Sequence, residues 1–419
     1  MKLSLNVIPP PRDAPVGTEP PSSVQLSEPM RRFQCNQKGC CCSGWDIPFR
    51  LEDFLRLHDR LPESERGTLT RGLKLVLEQG TTPEGEQILH SMKLDGVGDD
   101  RACRFLSGEG GCSVHARFGL SALPDLCIDF PAFGYRQADG RVELWFDPVC
   151  PEVLEQLDES DEPLRLFQQQ GFFGDPGLDL RVQHTSDKIG ARLGKHTVGT
   201  AALDHIRLAG VEAFAADRPP WQTLAALLHA YRRLDIGNAA AFEVVVPEDV
   251  QPFVRFLADC IAAHGPDLLT ANLVRYQRFI WSIDPKPLCE SPALADHLRD
   301  WQPAFAQWLA PQEDALRPLQ ARWMAHRFGT PMVKGRGDLR EAADSMVHLY
   351  GTSLRIAAAM GAVLQRPVDR EMYKAAIGAA EFFYRSLNLP RESLPWFAAV
   401  RDSQFAVRLR GVSSSLASE

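Results

Sequence analysis

FQCNQKGCCCSGW, residues 33–45, sets Cys35, Cys40, Cys41 and Cys42 within eight positions of one another. How those thiols are used decides how the chain is organised. Eight of its ten cysteines fall between residues 35 and 150, the later four being Cys103, Cys112, Cys127 and Cys150. Cys260 and Cys289 stand apart in apolar helical surroundings and read as core residues. Thiols at this density serve disulfides, a metal or iron–sulfur centre, or redox chemistry.

Compartment weighs between those uses. Lys2 is followed by Leu3, Leu5, Val7 and Ile8 and then by Pro9-Pro10-Pro11, an apolar stretch too short for a secretory signal. No apolar run of about 18 residues offers a membrane span. The expectation is a cytoplasmic protein without a membrane partner. Its thiols are then kept reduced, which favours metal ligation over disulfides. A net charge of −8, with no run of Lys and Arg, excludes nucleic acid as a partner. The 44% hydrophobic and 24% charged content is that of a globular chain.

The spacing is Cys35-x4-Cys40-Cys41-Cys42, a gap of 60 residues, then Cys103-x8-Cys112-x14-Cys127-x22-Cys150. A zinc finger or ribbon shows Cys-x2-Cys pairs, and the chain has none. Iron–sulfur centres draw thiolates from separated segments and often close on Cys-Pro, as Cys150-Pro151 does here. Adjacent side chains diverge, so one site takes only one or two of Cys40, Cys41 and Cys42, unless eight thiolates serve two sites. His115, three residues past Cys112, is a further candidate ligand. The metal-ligand set is therefore Cys35, Cys40, Cys41, Cys42, Cys103, Cys112, Cys127 and Cys150.

The fold class expected is mainly α, with an N-terminal cysteine-cluster domain of short helices and a β-hairpin, followed by an all-α helical body. Residues 1–29 hold seven prolines and read as an extended or disordered arm, in which Leu3–Ile8 could add a strand elsewhere. The cysteine-cluster domain is expected over 30–155, the helical domain over 156–410 and a tail over 411–419. Leu51, Phe54, Leu55 and His58 predict a helix ended by Pro62, and a second helix is predicted over Thr68–Gln79. Ile88–Leu94 predicts a short strand. Asp139-Gly140, between Phe133–Gln137 and Arg141–Phe146, predicts a hairpin, and Pro151 at a first turn predicts a helix opened by Cys150. Leu224, Leu227, Leu228, Tyr231 and Leu234 share one helical face. Leu339, Ala342, Met346, Tyr350 and Leu354 form another stripe, as do Met372, Ala376, Ala379 and Phe383. Roughly eight to ten helices are expected between residues 152 and 410.

Glu28-Pro29, Phe33-x-Cys35 and Cys41-Cys42-x-Gly44-Trp45 resemble the opening of the flagellin lysine-N-methylase family. The resemblance continues through Cys103-x-Phe105-Leu106, Cys112-x-Val114-His115, Gly119-Leu120, Cys127-x3-Pro131 and Cys150-Pro151-Glu152. The same pattern is similar to a broader cysteine-cluster family described as zinc- or iron-chelating, and it is specific from about residue 28 to 155. The chain departs from the methylase pattern where Cys40 abuts Cys41, and where Phe130-Pro131-Ala132 replaces an aromatic-Pro-Arg. The resemblance implies an iron–sulfur (4Fe–4S) or other metal centre. In the methylase branch it also implies S-adenosylmethionine as methyl donor to the lysine ε-amines of a flagellin-like protein substrate. The alternative is a non-catalytic metal-chelating module whose helical body docks a partner protein, and a thiol redox sensor is a third reading.

Catalytic and cofactor-binding residues stay unidentified at this level. Methyl transfer needs a neutral lysine amine, and Tyr350, Tyr373 and Tyr384 are phenols on helical stripes that equally suit a core. Gly96-x-Gly98 and Gly335-x-Gly337 lack the third glycine and the βαβ frame of a dinucleotide fingerprint. The Cys-x3-Cys-x2-Cys spacing that the radical S-adenosylmethionine family resemblance would require is absent. No P-loop, His-Glu-x-x-His or Gly-x-Ser-x-Gly motif occurs.

Overall fold

The computed structural model describes residues 23–27, 29–30, 33, 47–49, 51–82, 85–94, 97, 102–107, 111–124, 127, 130–136, 142–159, 161–170, 182–184, 192–193, 196–233, 242–275, 283–329 and 339–387. The fold is mainly α. Two compact units divide the chain, Met1–Glu381 and Phe382–Glu419. Of the second, Phe382–Leu387 is described: it is helical, and the Phe383 and Tyr384 rings meet edge to face with centroids 5.7 Å apart.

The arm is not wholly extended coil. Leu3–Ile8 lies outside the described residues, but β1 (Ser23–Ser27) runs inside a five-stranded sheet. Its neighbours are β7 (Leu166–Gln170), antiparallel, and β6 (Val142–Phe146), parallel. β5 (Ala132–Arg136) and β8 (Val182–His184) complete the order β7-β1-β6-β5-β8. Prolines make the arm look unstructured, whereas Val24 and Leu26 alternate with polar residues and find partners on both sides. The hairpin β5–β6 forms as expected, Ala132 opposite Phe146 and Arg136 opposite Val142.

A second sheet orders β2 (Ile47–Phe49), β4 (Gly85–Leu94) and β3 (Leu73–Thr82). Here the helix expected over Thr68–Gln79 is corrected. Helix α2 covers Glu63–Gly72, and Leu73 onwards is strand, after α1 (Leu51–Arg60). Leu69, Leu73 and Val76 fit a helical face, but Leu73, Leu75 and Leu77 fit a strand equally well. Pairing along β4 from Leu73–Leu94 to Thr82–Gly85 decides for the strand.

The expected domain boundary at 155 falls inside helix α4 (Pro151–Asp158); α3 (Ser113–Phe118) precedes it. An all-α body from 156 is also corrected. β7, β8, β9 (Arg192–Leu193) and its partner β10 (His196–Thr197) come first, because β7 is needed to close one side of β1. From Thr200 the described residues are helical apart from connections. They form α5 (Thr200–Ala213), α6 (Pro220–Arg233), α7 (Gln251–Ala262), α8 (Pro266–Arg275), α9 (Lys286–Cys289), α10 (Leu294–Arg299) and α11 (Trp301–Ala304). A π turn (Phe305–Leu309) and a 3-10 turn (Ala310–Gln312) lead to α12 (Glu313–Gly329), α13 (Leu339–Leu364) and α14 (Arg370–Leu387).

Helix α13 is the core of this body, packed by α6, α7, α10, α11 and the π turn. Contrary to the expectation that no apolar run of about 18 residues occurs, its stretch Ala343–Leu364 is long and apolar enough to cross a membrane; that window is 89% buried inside the protein. Arg355, buried on it, donates to the carbonyls of Ile261 at the end of α7, of His264 just beyond it and of Leu298 in α10. One guanidinium thus satisfies helix-end carbonyls that would otherwise be buried without a donor. At the other end Gly361 lets the π turn approach: a Cβ there would lie 2.8 Å from Trp308 Cβ and 3.2 Å from the Arg366 carbonyl. The Trp308 carbonyl meanwhile accepts from Val368 N–H at 2.9 Å.

Helix α12 ties the sheet to the helices. His326 is fully buried and touches two strands, Nε2 to the Phe146 carbonyl at 2.7 Å and Nδ1 to Ser27 Oγ at 3.3 Å. A carbonyl only accepts, so Nε2 carries the proton and Nδ1 accepts from the serine. Arg207 of α5 pairs with the buried Glu143 of β6 at 2.9 Å and donates to the Gly329 carbonyl that ends α12. Arg327 pairs with Glu381 at 3.0 Å, and Trp323 Nε1 donates to the same carboxylate at 2.7 Å.

Two outcomes follow from this packing. Gly361→Ala should cost about 1–3 kcal/mol, since the methyl group meets backbone and Cβ rather than a flexible chain end. A thermal midpoint equal to wild type would show that the π turn yields freely. The second concerns pH. Burial lowers the His326 pKa from 6.5 to about 4. Between those values the unfolded imidazole binds a proton that the folded one refuses. Its contribution is therefore complete above pH 6.5 and is lost as pH falls towards 4, by roughly 3 kcal/mol in total. His326→Gln keeps a donor but cannot titrate, so its urea midpoint should fall less steeply than wild type from pH 7 to 4.5. Parallel curves would contradict the buried neutral histidine.

Candidate metal centre

Cys35, Cys40, Cys41 and Cys42 lie outside the described residues, as do both glycine turns at 96–98 and 335–337 apart from Val97. Cys103, Cys112, Cys127 and Cys150 are described, all half-buried. No disulfide links any two of the described cysteines.

Two tight backbone structures order the segments that carry these four. The first is the loop from Cys103 to Cys112. Leu106 N–H returns to the Cys103 carbonyl at 3.0 Å, Ser107 N–H to the Gly111 carbonyl at 3.0 Å, and Leu106 bridges Cys112 in antiparallel fashion. Ser113 closes it, its N–H and its Oγ both donating to the Phe105 carbonyl, at 2.8 and 2.9 Å. Gly111 takes φ 83°, a left-handed turn that a side chain would strain. Just before the loop, Val97 and Ala102 exchange backbone hydrogen bonds at 2.7 and 3.0 Å. Cys112 then caps α3, whose end is set by Gly119 at φ 76°.

The second structure is the open end of the β5–β6 hairpin. Cys127 precedes β5 and Cys150 follows β6, so both leave from the end where Ala132 faces Phe146. Asp147 N–H donates to the Pro131 carbonyl at 2.9 Å and ties the two departing segments. The buried Asp147 then accepts from Val149 N–H through Oδ1 at 3.0 Å and from Cys150 N–H through its own carbonyl at 3.0 Å. That turn delivers Cys150 to the first turn of α4, with Pro151 at the first helical position.

One apolar cluster supports the first group. Leu57 and Leu61 from α1 and its end, Leu69 from α2, and Phe105, Val114, Ala122 and Leu123 are buried together, with Cys103, Cys112 and Cys127 packed against them. Arg56 locks α1 to this cluster by donating to the Leu123 carbonyl at 2.8 Å while pairing with the buried Asp53. Three of the eight candidate thiols thus share one support. Phe33, two residues before Cys35, lays its ring on Phe146 with centroids 5.2 Å apart. Phe33 thus sits beside the strand end that leads to Cys150.

Among the described residues no group of three or more Cys, His, Asp or Glu side chains stands close enough to hold a metal ion. His115 sits half-buried in the last turn of α3. Cys260 is fully buried, and burial followed by the Asp344 and Asp259 carboxylates pushes its thiol pKa far up. Cys289 is half-buried with its thiol also pushed up by burial, its Sγ 3.9 Å from the Leu273 carbonyl. Cys260 is the core residue its apolar setting suggests, whereas Cys289 is only half-buried; neither environment favours a thiolate.

Of the three phenols offered as proton acceptors, Tyr350 and Tyr373 are core groups as well, whereas Tyr384 is half-buried. Tyr350 donates to Gln320 Oε1 at 3.2 Å, and Tyr373 lies 3.1 Å from Ser353 Oγ; burial raises both pKa values, holding the phenols protonated. What the sequence did not announce is the machinery around the cysteines. Asp147-Pro148 is a readable turn signal just before Cys150, but nothing local marks Phe33 as the partner of Phe146. Comparison with protein-family models, curated proteins and solved structures finds no match to this chain.

Proposed function

We propose that this chain is a cytoplasmic metal- or iron–sulfur-binding protein resembling the lysine-N-methylase and zinc- or iron-chelating cysteine-cluster families. The observation that supports it is that Cys103, Cys112 and Cys127, far apart in sequence, pack against one apolar cluster, while the open end of the β5–β6 hairpin leads to Cys150. Cys35 is two residues from Phe33, a reach of about 7 Å at most, and Phe33 rests on Phe146. Thiolates from residues 35–42 would complete a set that the four later cysteines begin. Bound there, an iron–sulfur cluster supplies one-electron redox capacity, and zinc a closed structural cross-link.

In the methylase reading, the neutral ε-amine of a protein lysine attacks the methyl carbon of S-adenosylmethionine. The sulfonium becomes a thioether and the amine sheds a proton. The burial of Tyr350 and Tyr373 favours the second reading, a non-catalytic chelating module that engages a partner protein through its helical body. Mass-resolved methyl transfer to a lysine-rich, flagellin-like protein separates the two; methylated lysine requires the first, and no transfer by metal-loaded protein leaves the second.

Anaerobic purification followed by iron, zinc and acid-labile sulfide analysis tests the shared part. Cys127→Ala and Cys150→Ala should each lower bound metal by more than half and lower the thermal midpoint, because ligand binding belongs to the folding of such a site. Cys260→Ala should leave the metal content as it is. Unchanged metal in both of the first two variants would mean that these thiols are not ligands.

A further inference from the structure

Between α6 and α7 the chain takes on the pattern of a strand without joining a sheet. Phe242–Pro247 contains no helix, turn or bend. Its three consecutive valines favour extended backbone, and Pro247 restricts Val246 to it. Exposure alternates along the stretch: Phe242 is buried and Val244 and Val246 are half-buried, while Glu243 and Val245 face out, Val245 at 52%. Among the described residues, none from Phe242 to Glu248 makes a backbone hydrogen bond. Both ends are nevertheless fixed. Phe242 sets its ring edge-on to Tyr231 of α6, centroids 5.2 Å apart. At the other end Asp249 Oδ1 accepts from Gln251 N–H at 2.9 Å, where α7 begins. An anchored strand whose backbone groups lack protein partners is a template for a second strand.

We infer that residues 242–247 are a docking edge for an extended segment of a partner protein, apolar and flanked by Lys or Arg, which pairs with them by strand addition. In this mode main-chain hydrogen bonds supply affinity and alternate side chains supply specificity. Pro247 has no N–H and ends the row of donors at Val246, so about 17 Å of strand is on offer. Val245 gives the added strand an outward apolar neighbour. The charges along and just past the stretch, Glu243, Glu248 and Asp249, are all acidic and exposed. The cations at the end of α6 are directed elsewhere, Arg232 over the Phe256 ring and Arg233 to within 3.5 Å of His229. Cross-strand neighbours of opposite charge stabilise such a pair and like charges oppose it. A second copy of this chain brings the same three carboxylates and a net charge of −8, so it is the wrong occupant. The inference rests on the protein partner common to both readings above and uses nothing at the cysteines.

Fluorescence anisotropy of the labelled peptide Lys-Val-Thr-Val-Lys, titrated with the full chain, reads the docking directly. Binding should saturate. One of the two alternately N-methylated forms of the peptide, which carry the same charge, should bind at least tenfold more weakly because its bonded amides are blocked. The double variant Glu243→Lys, Glu248→Lys changes only exposed positions. It should bind the peptide at least fivefold more weakly and prefer Glu-Val-Thr-Val-Glu instead. No saturable binding, or equal binding of the plain and both methylated peptides, would overturn the docking edge. So would a dimer in sedimentation velocity that Val245→Lys abolishes, since a second copy would then occupy the edge. Metal analysis of the same sample keeps the two proposals apart: peptide binding without metal upholds the edge and refutes the centre, and metal without peptide binding refutes the edge alone.

Discussion

Charged and polar groups taken out of water must find partners within the protein, and residues 322–329 of α12 gather several such groups from distant elements. His326 joins Ser27 on β1 to Phe146 on β6, and the Gly329 carbonyl receives Arg207. Trp323 and Arg327 share Glu381 of α14, and Arg322 reaches α4. A single helix thereby fixes the sheet, the short helix α4 and the long helices in one arrangement. The end of β6 is held at its carbonyl by His326, and that strand end is where Phe33 rests and where the turn to Cys150 begins. The backbone at Cys150 thus follows a strand end fixed by buried polar pairing a few residues away.

The energetic weight of these contacts differs by depth. The Arg207–Glu143 pair is almost wholly buried, so removing one partner would strand a charge and cost about 3–5 kcal/mol, whereas replacing both with apolar groups can be neutral. Such a pair selects one packing more than it stabilises it. The Arg117–Glu65 pair between α3 and α2, at 2.7 Å but exposed, is worth at most about 1 kcal/mol. The α1–α2 face of the cysteine cluster therefore depends on its apolar residues and on Arg56, not on surface charge.

Periodicity made the long elements legible. The stripes Leu224–Tyr231, Met346–Leu354 and Met372–Ala379 all lie on helices, and Asp139-Gly140 separates the strands of a true hairpin. Where two periods fitted the same residues, as from Leu69 to Leu77, local pattern could not choose, and the partner strand β4 made the choice. β1 hid behind proline-rich composition because its order comes wholly from neighbours more than a hundred residues away. Glu143 shows the same limit at the level of a side chain. Alternation along β6 marks a strand, but it does not reveal that Arg207 from α5 pairs with the buried carboxylate there. For the site, the sequence supplied the cysteines and the Cys150-Pro151 helix start, while the Asp147 turn and the Phe33–Phe146 contact are tertiary.

The central claim is that thiolates from separated segments converge on one inorganic centre. X-ray absorption at the metal edge of anaerobically purified full-length protein tests it most directly. A first shell made of sulfur alone at about 2.3 Å is the predicted result. A shell of oxygen and nitrogen, or protein without bound metal, would contradict it.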